Sequence, residues 1–318
     1  MSASKSPHLV LAGGSGFLGG VLAEYFGAKG WEIVVLTRRP RKRNDGVREV
    51  GWNGETRAGW TQELENARAL VNLCGASVDC RYHSRNRKRI LDSRVRSTEA
   101  LGAAITNCAN PPAVWLNSGT ATIYKHTFGP AWDESGEIGG TPEAKDQFSI
   151  DVASAWERAF NAIQTPRTRK LILRSAMVLG MGRNSVFPTL RRLVRLGLGG
   201  NLAGGRQFVS WIHQQDFCRS IEWLIEHHDL DGTFNLAAPA PVTNEEMMRT
   251  LREVCGRSIG LPASLWMLEF GAFFLRSETE LIIKSRRVVP GRLLRSGFEF
   301  RFPEIGSAFR DLEDQMAS

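Results

Sequence analysis

His8-Leu-Val-Leu-Ala12, running into Gly13-Gly-Ser-Gly-Phe-Leu-Gly19, is where the architecture of this chain is written. The apolar run reads as a short buried strand, glycines stand at 13, 16 and 19, and residues 17–28 have the spacing of an amphipathic helix. In that context each glycine has a separate task. The first allows a tight turn, the second lets backbone N–H groups approach a pyrophosphate, and the third lets the helix pack on the sheet with its N-terminus toward the negative charge. Gly30 suits the left-handed position that ends the helix, and residues 31–36 are β-branched enough for a buried parallel strand. The βαβ unit so formed predicts a dinucleotide site at Gly13, Gly14, Ser15, Gly16, Phe17, Leu18 and Gly19.

Outward from this unit, apolar runs at residues 69–73, 114–117 and 170–178 alternate with helical stretches at 87–107 and 147–163. Strands alternating with helices predict an α/β fold with a doubly wound parallel sheet. After Gly180 comes a Gly- and Arg-rich loop and helix (181–205), a strand-like run (207–212), a helix (216–227) and a further strand (233–236). Thr243 and Glu246 form a capping box for a helix over 243–255, and the tail from 261 to 318 has mostly helical periodicity. The expected division is a nucleotide-binding domain of residues 1–180 plus about 207–238. About 181–206 plus 239–318 would form a smaller, discontinuous α+β domain on the substrate side.

The 318 residues include 41 Lys+Arg against 33 Asp+Glu, a net charge of +8, and 42% are hydrophobic, which excludes disorder as the main state. A basic balance admits nucleic acid, an anionic surface or an anionic small molecule. No zinc-finger, RNP-type or basic-zipper pattern occurs, and no stretch reaches the ~18–20 apolar residues of a membrane span. Nor does an apolar signal segment precede the first strand. The expectation is a cytoplasmic protein with a small-molecule substrate and neither nucleic-acid nor membrane partners. Five widely spaced cysteines without a C-x-x-C pair suggest reduced thiols and no metal site.

The second strand ends Leu36-Thr37-Arg38-Arg39, where a site selective for NAD would present Asp or Glu to the ribose 2′-hydroxyl. A guanidinium there pairs with a 2′-phosphate instead, so NADP(H) is the expected cofactor, with Thr37 and Arg38 foremost and Arg39 beside them.

Together with the glycine loop, the segments Val71-Asn-Leu-Cys-Gly-Ala76, Asp92-Ser-Arg-Val-Arg-Ser-Thr98, Leu173-Arg174 to Gly180, and 204–216 make the chain resemble the short-chain dehydrogenase/reductase superfamily, in its extended, epimerase-like branch. Residues 287–300 resemble the small terminal domain of one atypical subgroup. The resemblance implies that Leu73, Cys74 and Gly75 pass the adenosine and ribose, that Arg94 reaches the cofactor phosphates or ribose, and that Val178 lies near the nicotinamide.

Enzymes of that superfamily ordinarily use a Tyr-x-x-x-Lys pair as proton donor. This chain has three tyrosines, and only Tyr25 is followed by a lysine at the right spacing, Lys29, on the helix of the glycine loop. Where the pair belongs, Phe148 or Ser149 takes the Tyr position and Val152 or Ala153 the Lys position, and neither can perform acid–base work near pH 7. Thr120 takes the place of the strand-end hydroxyl that polarises a substrate carbonyl, with Ser118 the alternative. Tyr124, Lys125, Asp133, Lys145 and Asp146 are loop candidates for a substitute proton donor. Three functions stay open: an NADP(H)-dependent oxidoreductase or epimerase-like enzyme acting on a small molecule with Thr120, a non-catalytic NADP(H)-binding sensor or partner-binding protein, and a nucleotide-sugar epimerase or dehydratase with a substitute base.

Overall fold

A computed structural model describes residues 6–56, 59–182, 184–262 and 284–317. Its centre is a parallel sheet of seven strands, β1 (His8–Ala12), β2 (Glu32–Thr37), β3 (Arg48–Gly51), β4 (Ala69–Asn72), β5 (Val114–Thr120), β6 (Arg169–Ser175) and β10 (Gly232–Leu236). The spatial order is β10-β6-β5-β4-β1-β2-β3, so the chain reverses direction across the sheet between β1 and β4. Ligand crevices open at such a reversal, beyond the carboxyl ends of the strands.

Both faces of the sheet are covered, which explains its uninterrupted apolar strands. Successive side chains alternate between the faces. Leu9, Leu11, Val35 and Leu116 pack with Phe26 of α1 (Phe17–Gly27) and with Phe217 and Ile221 of α5 (Gln214–Glu226). Val10, Val34, Leu70 and Trp115 pack with Leu101 of α2 (Ser84–Asn107) and Phe160 of α3 (Gln147–Ala162).

A further apolar centre joins α4 (Val186–Arg195), α6 (Asn244–Val254) and α8 (Ile305–Ala317) through Phe187, Met247, Leu251 and Phe309. Short α7 (Gly291–Arg295) lies against β10. Thr243 does cap α6, its Oγ1 accepting from the Glu246 N–H at 3.2 Å. Among the described residues no helix is long and apolar enough to cross a membrane. The helical reading of the tail rests partly on residues 263–283, which lie outside the described residues.

The structure corrects several sequence boundaries. The run 170–178 is not one strand: it breaks at Ala176, and β7 (Met177–Leu179) leaves the main sheet to pair with β9 (Trp211–His213). The cause is visible in the hydrogen bonds, since Ala176 N–H turns to Leu236 O while Met177 N–H turns to Ser210 O. The run 207–212 breaks likewise at Ser210, separating β8 (Phe208–Val209), which pairs with β11 (Val242–Thr243), from β9. The strand expected over 69–73 stops at Asn72, and Leu73 lies just beyond it. β3 has no counterpart in the sequence reading because it is a short, half-exposed edge strand without an apolar run.

Candidate functional site

The glycine loop joins β1 to α1 at the reversal of strand order. Gly13 has φ +73, and its N–H donates to Leu36 O at 2.9 Å, which bends the chain out of the sheet. A Cβ at Gly19 would lie 2.1 Å from Gly14 O, so only glycine lets the helix approach the loop this closely. Gly16 is the N-cap residue of α1, with no side-chain cap and no acidic residue in the first turn, and a Cβ there would meet nothing within 4 Å. The helix N-terminus therefore faces open space, the geometry in which backbone N–H groups receive an anion. Phe17 lies beneath the loop that follows β7: a Cβ at Gly182 would come within 2.2 Å of its ring.

Beside this loop, at the carboxyl end of β2, a cavity of about 680 Å³ is lined by Ser15, Thr37, Arg38, Arg39, Arg41, Lys42, Arg43 and Glu49. Arg43 is held by Asp45 and Glu49. Glu49 also accepts from the Arg41 backbone N–H at 2.8 Å, while the charged groups of Arg38, Arg39, Arg41 and Lys42 have no carboxylate within 4 Å among the described residues. Thr37 and the two arginines of the sequence reading are thus brought together with Ser15. The contributions of Arg41 and Lys42 were hidden because Arg38–Arg43 reads as a solvated basic loop.

Cys74 backs directly onto the glycine loop, since a Cβ at Gly13 would lie 2.9 Å from both its Cα and its Sγ. Burial pushes its thiol up to about 12, so it is a neutral wall there. Gly75 faces Arg94: a Cβ on it would come within 3.1 Å of the guanidinium carbon. Arg94 donates to Ala76 O (3.2 Å) and Ile90 O (3.0 Å) and lies over the Trp156 ring. Asp92 pairs with Lys88 and Arg96 instead, and burial lowers Arg94 to about 10. A half-buried cation with no carboxylate partner among the described residues suits an anionic ligand. Val178 and Leu73 pack against the apolar layer under α1 and α5.

A buried polar network beneath this crevice escaped the sequence reading. Asn72 Nδ2 donates to Asn117 Oδ1 (2.7 Å), Cys74 N–H to Asn72 Oδ1 (3.1 Å), and Trp156 Nε1 to Thr98 Oγ1 (3.0 Å). With Asn72 Nδ2 also donating to Thr98 Oγ1 (3.2 Å), it ties the end of β4 and the middle of β5 to α2 and α3. Isolated asparagines carry no periodic signal that announces such a role.

Thr120 ends β5, and its Oγ1 accepts from Thr122 N–H at 3.1 Å, which leaves its own O–H to donate. α3 packs against this turn and presents Phe148 and Ser149 in its first turn, with Val152 and Ala153 buried behind them. Four of the five loop candidates, all but Lys145, have side-chain partners of their own. Tyr124 donates to Asn235 Oδ1 (2.8 Å) and receives Arg174, Lys125 pairs with Glu137 (2.7 Å), Asp133 accepts from Ser135, and Asp146 pairs with Lys284. Tyr25 and Lys29 both bind Glu222 of α5, at 2.6 and 2.5 Å, so this pair clamps two helices on the opposite face of the sheet.

Comparison with known proteins agrees with this geometry. A family model described as "NAD dependent epimerase/dehydratase family" matches residues 9–237, and one described as "Domain of unknown function (DUF1731)" matches residues 265–312. The chain is 29% identical over 309 residues to the human "Epimerase family protein SDR39U1", covering 96% of this chain and 99% of that one. It is 31% identical over 309 residues to "Epimerase family protein ML0860" of Mycobacterium leprae, covering 96% and 95%. The crystal structure of human SDR39U1 (isoform 2) with NADPH superposes with a TM-score of 0.85 at 28% identity, covering 96% of this chain and 99% of that one. A UDP-N-acetylglucosamine 4-epimerase from Bacillus cereus shares the fold at TM-score 0.76 and 17% identity, covering 98% and 97%. With the glycine loop, the strand order and a family model spanning most of the chain in agreement, this protein belongs to the NAD-dependent epimerase/dehydratase family.

Proposed function

We propose that this chain is an NADP(H)-dependent oxidoreductase or epimerase-like enzyme acting on a small molecule. The observation that carries the reading is the cationic cavity at the end of β2, lined by four side-chain cations without ion-pair partners among the described residues, a charge that suits a ribose 2′-phosphate. An acidic residue at the end of β2 would select NAD; the one carboxylate of the lining, Glu49 on β3, is engaged by Arg43 and the Arg41 N–H. The human relative crystallised with NADPH supports the same choice. Gly13, Gly14, Gly16 and Gly19 would hold the pyrophosphate, Cys74 and Gly75 would pass the ribose, and Arg94 would neutralise phosphate charge. A bound nicotinamide supplies or accepts hydride. Thr120 would orient a substrate carbonyl through its O–H, positioned by Thr122.

A second reading, a sensor that binds the cofactor without turnover, is favoured by Phe148, Ser149, Val152 and Ala153 on α3. Calorimetric titration with NADPH and NADH, followed by NADPH oxidation against a panel of carbonyl compounds, separates the two. Arg38→Asp is expected to weaken NADPH binding roughly tenfold or more, while NADH binding is unchanged or improved. Equal loss for both nucleotides would remove the 2′-phosphate assignment. Binding with oxidation supports the enzyme, and binding without oxidation of any compound favours the sensor.

A further inference from the structure

We propose that Lys284 is the positioning cation of the Thr120 segment, delivered from the C-terminal part of the chain to replace the lysine missing from α3. The inference rests on the reading of Thr120 given above.

On α3 the lysine position is closed. Ala153 is buried in an apolar cluster with Ala121, Ile123, Tyr124 and Val288, surroundings that would leave an ammonium group unsolvated. Val288 comes from residues 284–290, which pass beneath the turn after β5. Four residues earlier in the same stretch, Lys284 Nζ donates to Thr122 O at 2.6 Å. Thr122 N–H in turn donates to Thr120 Oγ1 at 3.1 Å. One ammonium therefore anchors the residue that orients the candidate hydroxyl.

The countercharge is equally well placed. Lys284 pairs with Asp146, and both side chains are 0% exposed. Asp146 immediately precedes α3, and its Oδ1 accepts from Thr141 N–H at 2.9 Å. The pair thus links the Thr120 turn to the helix end that carries Phe148 and Ser149. The stretch bearing Lys284 is itself fastened: Ser285 N–H donates to His126 Nδ1 (2.9 Å), Ser285 Oγ to Thr127 O (2.6 Å), and Val288 N–H to Ser210 Oγ (2.7 Å). A buried ion pair is a poor device for stability, because apolar side chains of similar volume usually serve as well or better. A charge kept at the end of β5 is better explained by what it orients.

Lys284→Met alone strands the buried Asp146 carboxylate and is expected to unfold the chain. The informative variant is the pair Asp146→Asn with Lys284→Met, which removes both charges and keeps an acceptor for Thr141. Three quantities would be measured on full-length protein: NADPH affinity, amide hydrogen exchange over residues 118–124, and reduction of 4-nitrobenzaldehyde by NADPH. The expected result is unchanged NADPH affinity, exchange at least about tenfold faster in that segment, and kcat at least about tenfold lower with the KM for NADPH unaltered. Unchanged exchange overturns the proposal, and faster exchange with unchanged kcat reduces Lys284 to a structural anchor, which also overturns it. If the unmodified chain binds NADPH but does not reduce the aldehyde, the oxidoreductase reading fails for this probe, faster exchange then supports Lys284 only as the cation that orders the Thr120 turn, and unchanged exchange overturns it.

Discussion

At 0% exposure the His213 imidazole is held neutral. Its Nδ1 accepts from Gln215 N–H at 3.2 Å, so the proton belongs on Nε2, which faces Asp311 at 3.2 Å without the alignment of a hydrogen bond. Burial, aided by the charge of Arg301, lowers its pKa to about 3. The unfolded imidazole takes its proton near the ordinary value of about 6.5. Below that pH the unfolded state binds more protons than the folded one, so stability is lost as pH falls from about 6.5 toward 3, at up to roughly 1.4 kcal/mol per pH unit. Urea unfolding at pH 7, 6 and 5 is expected to show this slope, and His213→Gln to flatten it; equal slopes would exclude His213 as the source. Asp216, three residues on, accepts from Arg301 N–H (2.9 Å) and Phe302 N–H (2.8 Å), so both residues fasten the tail to α5 and neither faces the crevice chemistry.

At the element scale, strand β10 is the edge of the main sheet and would present unpaired backbone groups, a template for association. Two side chains close it. Glu134 accepts from Asn235 N–H and from Arg292 N–H, both at 2.9 Å, while the Arg292 guanidinium donates to Thr233 O at 2.9 Å and lies over the Phe234 ring. Glu134→Ala leaves two N–H groups without partners in a largely buried place, a loss of roughly 2–4 kcal/mol. Calorimetry is expected to show Tm lowered by several degrees. Size-exclusion chromatography should show concentration-dependent association, and a monodisperse variant with unaltered Tm would contradict this account of the edge.

For the whole molecule, the described part of the tail, residues 284–317, takes part in three places at once. It supplies Phe302, Ile305, Phe309 and Leu312 to the apolar centre with α4 and α6, covers β10 through α7, and brings Lys284 beneath Thr120. Ending the chain after residue 262 removes all three contributions and exposes several large apolar side chains. Such a truncation is expected to yield aggregated protein with no cooperative thermal transition; a soluble fragment that melts cooperatively would show that the sheet folds without the tail.

The glycine loop, the alternation of strands and helices, and the basic end of β2 were all legible in the residues, because each depends on local rules: backbone sterics at Gly13 and Gly19, the two-residue period of a strand, the charge of a guanidinium. Arg38 was singled out by its place at the end of β2, and Arg94 only by the resemblance. The breaks at Ala176 and Ser210 were not, since both are set by hydrogen-bond partners far along the chain. The Tyr25–Lys29 spacing matches a catalytic pair, but its place on the helix of the glycine loop already puts it on the wrong side of the sheet, and the structure adds that Glu222 of another helix makes it a clamp. Lys284 lies 162 residues from Thr122 in the chain. Local order was therefore determined by the sequence itself, whereas the meeting of Lys284, Asp146 and Thr122 was decided only by tertiary packing, because burial and Coulomb attraction act through space, without regard to distance along the chain.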